Sequence, residues 1–94
     1  MDTAELLSAP ENYAVVQLPG RNFPGVVMQG DSLHSLTRRL EKMLAGSRVG
    51  NFAHDDLVAE LDDLVSLFSE VLSHYERVCV ERGVELPYPK QQAL

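Results

Sequence analysis

The hydrophobic residues between Phe52 and Arg82 repeat with the period of an α-helix. One column of apolar residues is spaced alternately four and three positions apart, and a second column is spaced by seven. The first contains Leu57, Leu61, Leu64, Phe68, Val71, Tyr75 and Val78, and the second contains Val58, Val65, Leu72 and Cys79. A stripe of this width is typical of a core-facing helix. The pattern predicts a helix of roughly 30 residues and about 45 Å.

A shorter helix is predicted before it, from Ser32 to Ala45. Its apolar residues are spaced 3-4-3, at Leu33, Leu36, Leu40 and Met43, and Gly46 supplies a stop. This helix reaches only about 21 Å, so half of the long stripe lacks a helical partner in its own chain. We therefore predict a homodimer or a constitutive complex whose interface contains Val71, Leu72, Tyr75 and Val78. Cover by the hairpin or by the tail is the alternative.

Two segments ahead of the helices are rich in β-forming residues. Tyr13 to Leu18 and Phe23 to Gln29 are predicted strands, joined through Pro19-Gly20 in a type II turn. The predicted fold is therefore α+β, a single domain in which a β-hairpin packs with an antiparallel helical hairpin whose second helix is long. The segments are a leader (1–11), the β-hairpin (12–30), the helical hairpin (31–83) and an extended tail (84–94).

Three local features refine these boundaries. The leader is expected to form a helical turn at Thr3 to Ser8, ended by Pro10. Asn51 is expected to cap the start of the long helix. Gly83 is expected to end that helix in the left-handed conformation, because Pro87 and Pro89 prevent its continuation.

Charge and composition restrict the class of partner. The formal net charge is −6, which disfavours nucleic acid and anionic membranes, since both require basic surface. A basic protein partner is favoured instead. Cys79 is the only cysteine, so no disulfide forms within the chain. Because the sequence shows neither a basic leader nor a long apolar run, we expect a cytoplasmic location.

Acidic residues dominate one part of the long helix. No Lys or Arg lies between Arg48 and Arg77, whereas this part of the chain contains Asp55, Asp56, Glu60, Asp62, Asp63 and Glu70. In an antiparallel pair they would lie beside the basic residues of the first helix, which is one interpretation. The other is an acidic surface that captures a basic partner, with Asp62 and Asp63 as contacts. At the hairpin turn, Arg21 and Phe23 form either a rigid tip or a second pair of contacts.

Residues 30–33 spell the Gly-Asp-Ser-Leu motif of a class of serine esterases. That chemistry needs a nucleophile, a base, an orienting carboxylate and oxyanion donors, and here Asp31, Ser32 and His34 would emerge from a single helical turn. Capping of the helix start by Asp31 or Ser32 explains the same residues. Metal-ligand spacing is absent among the histidines, and Cys79 lies on the apolar stripe. We therefore predict no catalytic, cofactor or metal site.

Several short motifs together resemble a small bacterial family of unknown function. They are Leu18-Pro19-Gly20-Arg21, Phe23-Pro24-Gly25-Val26, Gln29-Gly30-Asp31-Ser32-Leu33, Glu60-Leu61, Asp63-Leu64, His74-Tyr75 and Leu86-Pro87. The resemblance covers residues 12–89. It implies a short, stand-alone bacterial protein and transfers no catalytic residue. By analogy, proteins of this kind include immunity proteins, antitoxins and phage-encoded defence inhibitors.

The sequence thus favours a non-enzymatic protein-binding module. The leading hypothesis is a small acidic immunity or inhibitor protein that occludes a basic bacterial effector. The alternative is a self-associating scaffold or a small-ligand-sequestering, anti-defence protein. An esterase is a distant third.

Overall fold

A computed structural model describes residues 3–9 and 13–89 and confirms the α+β class. Three strands precede two helices, in the order β1 (Glu5–Leu6), β2 (Tyr13–Gln17), β3 (Gly25–Met28), α1 (Gly30–Arg48) and α2 (His54–Glu81). The strands form one antiparallel sheet with the order β1-β2-β3. As predicted, the second helix is the longer one, with 28 residues against 19 in α1.

The predicted helical turn at Thr3 to Ser8 is wrong, because this segment contains a short strand. β1 pairs with β2, placing Glu5 opposite Gln17 and Leu6 opposite Val16. The pairing continues beyond β1, where the Leu7 amide donates to the Val15 carbonyl at 2.8 Å. An isolated helical turn would leave most of its backbone groups without hydrogen-bond partners. As a strand, the same segment forms these hydrogen bonds with the edge of β2.

The turn between β2 and β3 has the predicted type II geometry. Gly20 has φ +77°, the value that this turn requires at its third position. The Arg21 amide donates to the Leu18 carbonyl at 3.3 Å, and the Gln17 side-chain amide donates to the Arg21 carbonyl at 2.8 Å. Pro24, which has no amide hydrogen, precedes the first residue of β3. The returning strand is therefore shorter than predicted.

The chain divides into two compact units, and the boundary falls inside α2. The first unit combines Met1–Val27 with Val71–Leu94, and the second is Met28–Glu70. We refer to them as the sheet unit and the hairpin unit. Each has its own buried cluster, and α2 contributes residues to both.

In the sheet unit, the second half of α2 is covered by the chain itself. The buried cluster is Leu7, Val15, Tyr75, Val78 and Cys79, with Val84, Leu86 and Tyr88 packed against it. The strands thus supply part of the cover and the tail supplies the rest. Cover by the strands and the tail, which the sequence left open as the alternative to a partner, therefore applies to Tyr75 and Val78.

The tail returns to this cluster because of the way α2 ends. Gly83 adopts the predicted left-handed conformation, with φ +67°. Its amide donates to the Val80 carbonyl at 3.1 Å, and the Val84 amide donates to the Cys79 carbonyl at 2.8 Å. These two bonds define a Schellman motif, which typically brings the residue after the glycine onto the last turn of the helix. Val84 makes this contact.

In the hairpin unit, α1 packs against the first half of α2. The buried residues are Leu36, Met43 and Leu64, with Met28, Phe52, Leu57 and Leu67 packed around them. The two helices are joined by only five residues, as expected for antiparallel neighbours. The confirmed helical hairpin therefore has a small core centred on two α1 residues and one α2 residue.

Gly46 does not stop α1, in contrast to the prediction. The helix continues to Arg48, and Gly50, with φ +72°, supplies the left-handed residue. The Asn51 amide donates to the Gly46 carbonyl at 2.9 Å, so Asn51 belongs to the end of α1 and does not cap α2. A Cβ at Gly46 would lie 2.7 Å from Cδ2 of Phe52. Gly46 therefore permits close approach of the linking segment.

We expect Gly46→Ala to lower the free energy of unfolding by roughly 1–3 kcal/mol, because Phe52 must move to admit a methyl group. Gly30→Ala is the matched control, since nothing lies within 4 Å of a Cβ there. The control should be neutral or slightly stabilising, because alanine restricts the unfolded chain. Chemical denaturation of both variants measures the difference. Equal stabilities would show that the linking segment yields freely.

Tyr75 joins the loop before β3 to the sheet-unit core. Its side chain is buried, and its hydroxyl donates to the Pro24 carbonyl at 3.0 Å. Burial, with a smaller contribution from the Cys79 thiol, raises the pKa of Tyr75 to about 12. Tyr88 differs, because its buried hydroxyl has no hydrogen-bond partner among the described residues. Burial, and then the nearby Glu76 carboxylate, raises the pKa of Tyr88 as well.

We expect Tyr75→Phe to lower the free energy of unfolding by roughly 1–2 kcal/mol at pH 7, because the Pro24 carbonyl loses its donor. Tyr88→Phe should change it by less than about 0.5 kcal/mol, since no hydrogen bond is removed. Thermal or urea unfolding compares the two variants. Equal losses would assign the effect of Tyr75→Phe to packing rather than to the hydrogen bond.

The same tyrosine predicts a loss of stability at high pH. An unfolded tyrosine ionises near pH 10, whereas Tyr75 in the fold keeps its proton to about pH 12. The unfolded state therefore binds fewer protons across this interval, and stability falls as the pH rises from 10 to 12. In Tyr75→Phe the decline should be shallower. A wild-type stability that stays constant over this interval would contradict the assignment.

Candidate protein-binding surface

Besides Val49 in the linking segment, seven large apolar side chains of the hairpin unit are exposed. Their exposed fractions lie between 46% and 63%. They are Leu33, Leu40 and Leu44 of α1 and Val58, Leu61, Val65 and Phe68 of α2. We call this set the apolar face. Six of the seven belong to the stripes that the sequence assigned to a core, and Leu44 lies outside them.

On α1 the exposed leucines lie to one side of the buried residues. Successive residues of an α-helix are rotated by about 100°. Measured from buried Leu36, the three exposed leucines lie about 40–80° away in one rotational sense. Arg39 lies about 60° away in the opposite sense. The inward-facing row of α1 therefore has an apolar flank and a charged flank.

The first half of α2 is divided in the same way. Measured from buried Leu64, the exposed apolar residues of α2 lie about 40–120° away in one sense, and Glu60 lies about 40° away in the other. In an antiparallel helix pair, flanks of the same rotational sense lie on the same side. The two apolar flanks consequently adjoin each other and form a continuous surface.

An ion pair confirms this arrangement from the opposite side. The Arg39 guanidinium donates to Glu60 Oε2 from Nη2 at 2.9 Å and from Nε at 3.2 Å. It also lies 3.8 Å from an Asp63 carboxylate oxygen. Both charged flanks thus meet on one side of the hairpin, and the apolar face occupies the other. Because these groups are at least a third exposed, the pair contributes little net stability.

The apolar face itself contains little polar chemistry. Thr37 lies among its α1 residues, but the Thr37 hydroxyl already donates to the Leu33 carbonyl at 2.7 Å. Its α2 residues, Val58, Leu61, Val65 and Phe68, follow a 3-4-3 spacing, the pattern of a helix that packs along a second helix. The surface is therefore suited to contact with apolar side chains of another helix.

The acidic residues of α2 fall into two groups. Glu60 and Asp63 contact Arg39, as the intramolecular interpretation of the acidic stretch expected. No ion pair among the described residues involves Asp55, Asp56 or Asp62, and all three are exposed. Asp63 is also largely exposed, at 71% of its side chain. The charge of the acidic stretch is thus only partly balanced within the fold.

The remaining predicted contacts lie in the sheet unit. At the hairpin tip, Arg21 is exposed and Phe23 is 45% exposed, so their role as contacts stays a prediction. Val71 is half-buried and Leu72 is 47% exposed. As described above, Tyr75 and Val78 are buried by the strands and the tail, which leaves Leu72 as the most exposed residue of the predicted interface.

The esterase-like tetrapeptide lies at the start of α1. Asp31 Oδ1 accepts a hydrogen bond from the adjacent Ser32 amide at 2.8 Å. The predicted cap is wrong in its position, since the N-cap residue is Gln29 and makes no side-chain cap. Among the described residues, no group of three or more His, Cys, Asp and Glu side chains could hold a metal ion. Cys79 is fully buried.

The apolar period of α2 did not reveal the apolar face, because both columns of apolar residues are equally compatible with a core. The available signal was the width of the stripe. A helix buries roughly a 100° sector against one layer of neighbours, whereas the apolar positions of α2 cover more than this. In a hairpin of two helices, the excess width has no third helix to cover it.

Neither α1 nor α2, the helices of the described residues, combines the length and the hydropathy of a membrane-spanning segment.

Comparison with known proteins identifies a family but no activity. Searches for similar curated proteins and for similar solved structures found no match. A family model does match, over residues 1–88. The chain belongs to that family, DUF6959, whose function is unknown.

Proposed function

We propose that this protein is a non-enzymatic protein-binding module and that the apolar face is its binding surface. The observation that carries the proposal is the exposure of seven large apolar side chains on one side of the hairpin unit. Burying the exposed half of each of these side chains in an interface would contribute roughly 5–10 kcal/mol to the free energy of binding. This is comparable to the net stability of a whole domain. Contiguous apolar patches of this extent mark interaction sites on soluble proteins.

We expect Phe68→Glu to abolish capture of the protein partner, because a carboxylate within the face would lose its hydration on binding. Val80→Glu is the matched control, since Val80 lies on the same helix, is 71% exposed and is outside the face. Immobilised wild type and both variants would be compared for capture from lysate of the source cells. Partners retained equally by all three proteins would contradict the proposal.

The fluorescence of an apolar dye provides a partner-free reading of the same surface. Anilinonaphthalene sulfonate should bind wherever the face is open, and Phe68→Glu should weaken its binding. Circular dichroism of each variant checks that the fold is retained. A wild-type protein that is monomeric and binds no dye would show that the face is covered by its own chain.

We further propose a narrower function, that of a small acidic immunity or inhibitor protein that occludes a basic effector in the bacterial cytoplasm. Its support is the set of exposed carboxylates that no ion pair among the described residues engages, Asp55, Asp56 and Asp62. The formal net charge of −6 adds to it. Such charges accelerate encounter with a basic partner. The hairpin tip, with Arg21 and Phe23, is a second proposed contact.

We expect the double substitution Asp62→Lys, Asp63→Lys to slow association with a basic partner several-fold and to weaken its salt dependence. Glu85→Lys combined with Glu81→Lys gives the same change in net charge at exposed positions outside the acidic stretch. Stopped-flow association rates at two salt concentrations compare the variants. If both double substitutions slow association equally, the effect comes from the net charge of the protein and not from the acidic stretch.

A further inference from the structure

We infer that the partner seated on the apolar face is a second copy of this chain, so that two hairpin units form a four-helix bundle around a twofold axis. The inference rests on the proposed protein-binding role of the face and names its occupant. A two-helix hairpin is half of such a bundle. Twofold dimers bring the same patch of both copies together, and the seven residues of the face then cover each other.

The size of the face fits this occupant. Seven side chains that each expose about half of their surface amount to roughly 500 Å² of apolar area. A standard interface buries about 800 Å² per partner, of which about 60% is apolar. One apolar face therefore supplies about the apolar area that one side of a stable dimer needs. It also reaches the upper range of apolar patches found on monomers.

The absence of charge within the face selects an apolar partner surface. The leucine, valine and phenylalanine side chains offer no group that would recognise a basic effector, and the Thr37 hydroxyl is bonded to its own helix. A second copy of the chain presents an apolar surface of this kind, because it carries the same face. The acidic residues then remain outside the bundle.

Charge also determines which helices meet. α1 carries four basic and two acidic residues, a formal charge of +2. Residues 54–70 of α2 carry six acidic residues and no Lys or Arg, a formal charge of −6. Pairing α2 with α2 would place these negative charges together, whereas pairing α1 of one copy with α2 of the other opposes unlike charges. We therefore assign the second arrangement.

This arrangement places Leu40 of one copy beside Leu61 of the other. Because the helices are antiparallel, the Arg39–Glu60 ion pair places these two positions about 3 Å apart along the helix axes within a hairpin. A twofold axis along the helices keeps the same offset between copies. A charge introduced at either position would consequently be buried at two symmetry-related sites of the homodimer. In a mixed dimer of a variant with a positive charge at position 40 and a variant with a negative charge at position 61, the two opposite charges would lie beside each other.

The test is sedimentation velocity of the full chain from 1 to 100 µM. Wild type should sediment with twice the mass of the 10.4 kDa chain, and its melting temperature should rise with concentration. Leu40→Lys and Leu61→Glu should each weaken dimerisation roughly 100-fold or more. An equimolar mixture of the two variants should recover the dimer. Val80→Glu should not change the mass.

Three outcomes would overturn the inference. A wild-type monomer at 100 µM whose melting temperature is independent of concentration excludes the dimer, yet dye binding that Phe68→Glu removes would still support the face as a site for another protein. A dimer that persists in Leu40→Lys and Leu61→Glu uses a different surface. A mixture that remains monomeric although wild type dimerises excludes the assigned pairing of α1 with α2. If a variant fails to fold, the concentration dependence of the wild-type melting temperature still decides the question.

Discussion

The constraint on which this structure depends is the width of the apolar stripe on α2. One neighbouring layer can cover only a limited sector of a helix, and the apolar residues of α2 extend beyond that sector along its whole length. Each half of the helix meets the constraint differently. In the sheet unit, strands and tail bury Tyr75, Val78 and Cys79. In the hairpin unit, α1 buries Leu57, Leu64 and Leu67 at least in part and leaves the flank beside them exposed.

The difference arises from what the chain places next to each half. The Schellman motif at Gly83 turns residues 84–88 back onto α2, and the Tyr75 hydroxyl holds the loop before β3 through the Pro24 carbonyl. The Arg82 guanidinium adds a hydrogen bond to the Leu7 carbonyl at 3.1 Å. The hairpin unit has only α1 and a linking segment of five residues. Covering the remaining flank would require an additional element, and the described chain has none there.

Sequence patterns located most of the fold because most of it is set by local chemistry. The type II turn depends on a glycine at position 20, the end of α2 depends on Gly83, and the helices depend on their apolar period. The misassigned features depend on nonlocal partners. Glu5 and Leu6 become a strand only because β2 offers an edge. Gly46 lies inside α1 with the Phe52 ring close to it across the linking segment, a contact that the apolar spacing does not show.

The candidate surface was harder to predict for a related reason. Periodicity shows that a residue is apolar and shares a face with others, but it does not show how many neighbours are available to cover that face. The residues chosen as an interface lie in the second half of α2, far from α1 in sequence, and are Val71, Leu72, Tyr75 and Val78. The exposed residues prove to be those beside α1, since one helix covers a narrower sector than the stripe occupies. Comparing the width of the apolar sector of each helix with the number of elements available to pack on it would have identified the exposed flank.

The arrangement of charge and apolar surface on the hairpin unit separates two kinds of recognition. Arg39 pairs with Glu60 and lies near Asp63 on one side of the hairpin, while the apolar face occupies the opposite side. Apolar burial is insensitive to moderate salt, whereas attraction between exposed charges is screened over about 10 Å at 0.1 M ionic strength. Association through the apolar face should thus persist at salt concentrations that remove the attraction of a basic partner to Asp55, Asp56 and Asp62. The two proposed binding modes are therefore physically independent, since self-association through one side would leave the acidic residues available to a basic protein.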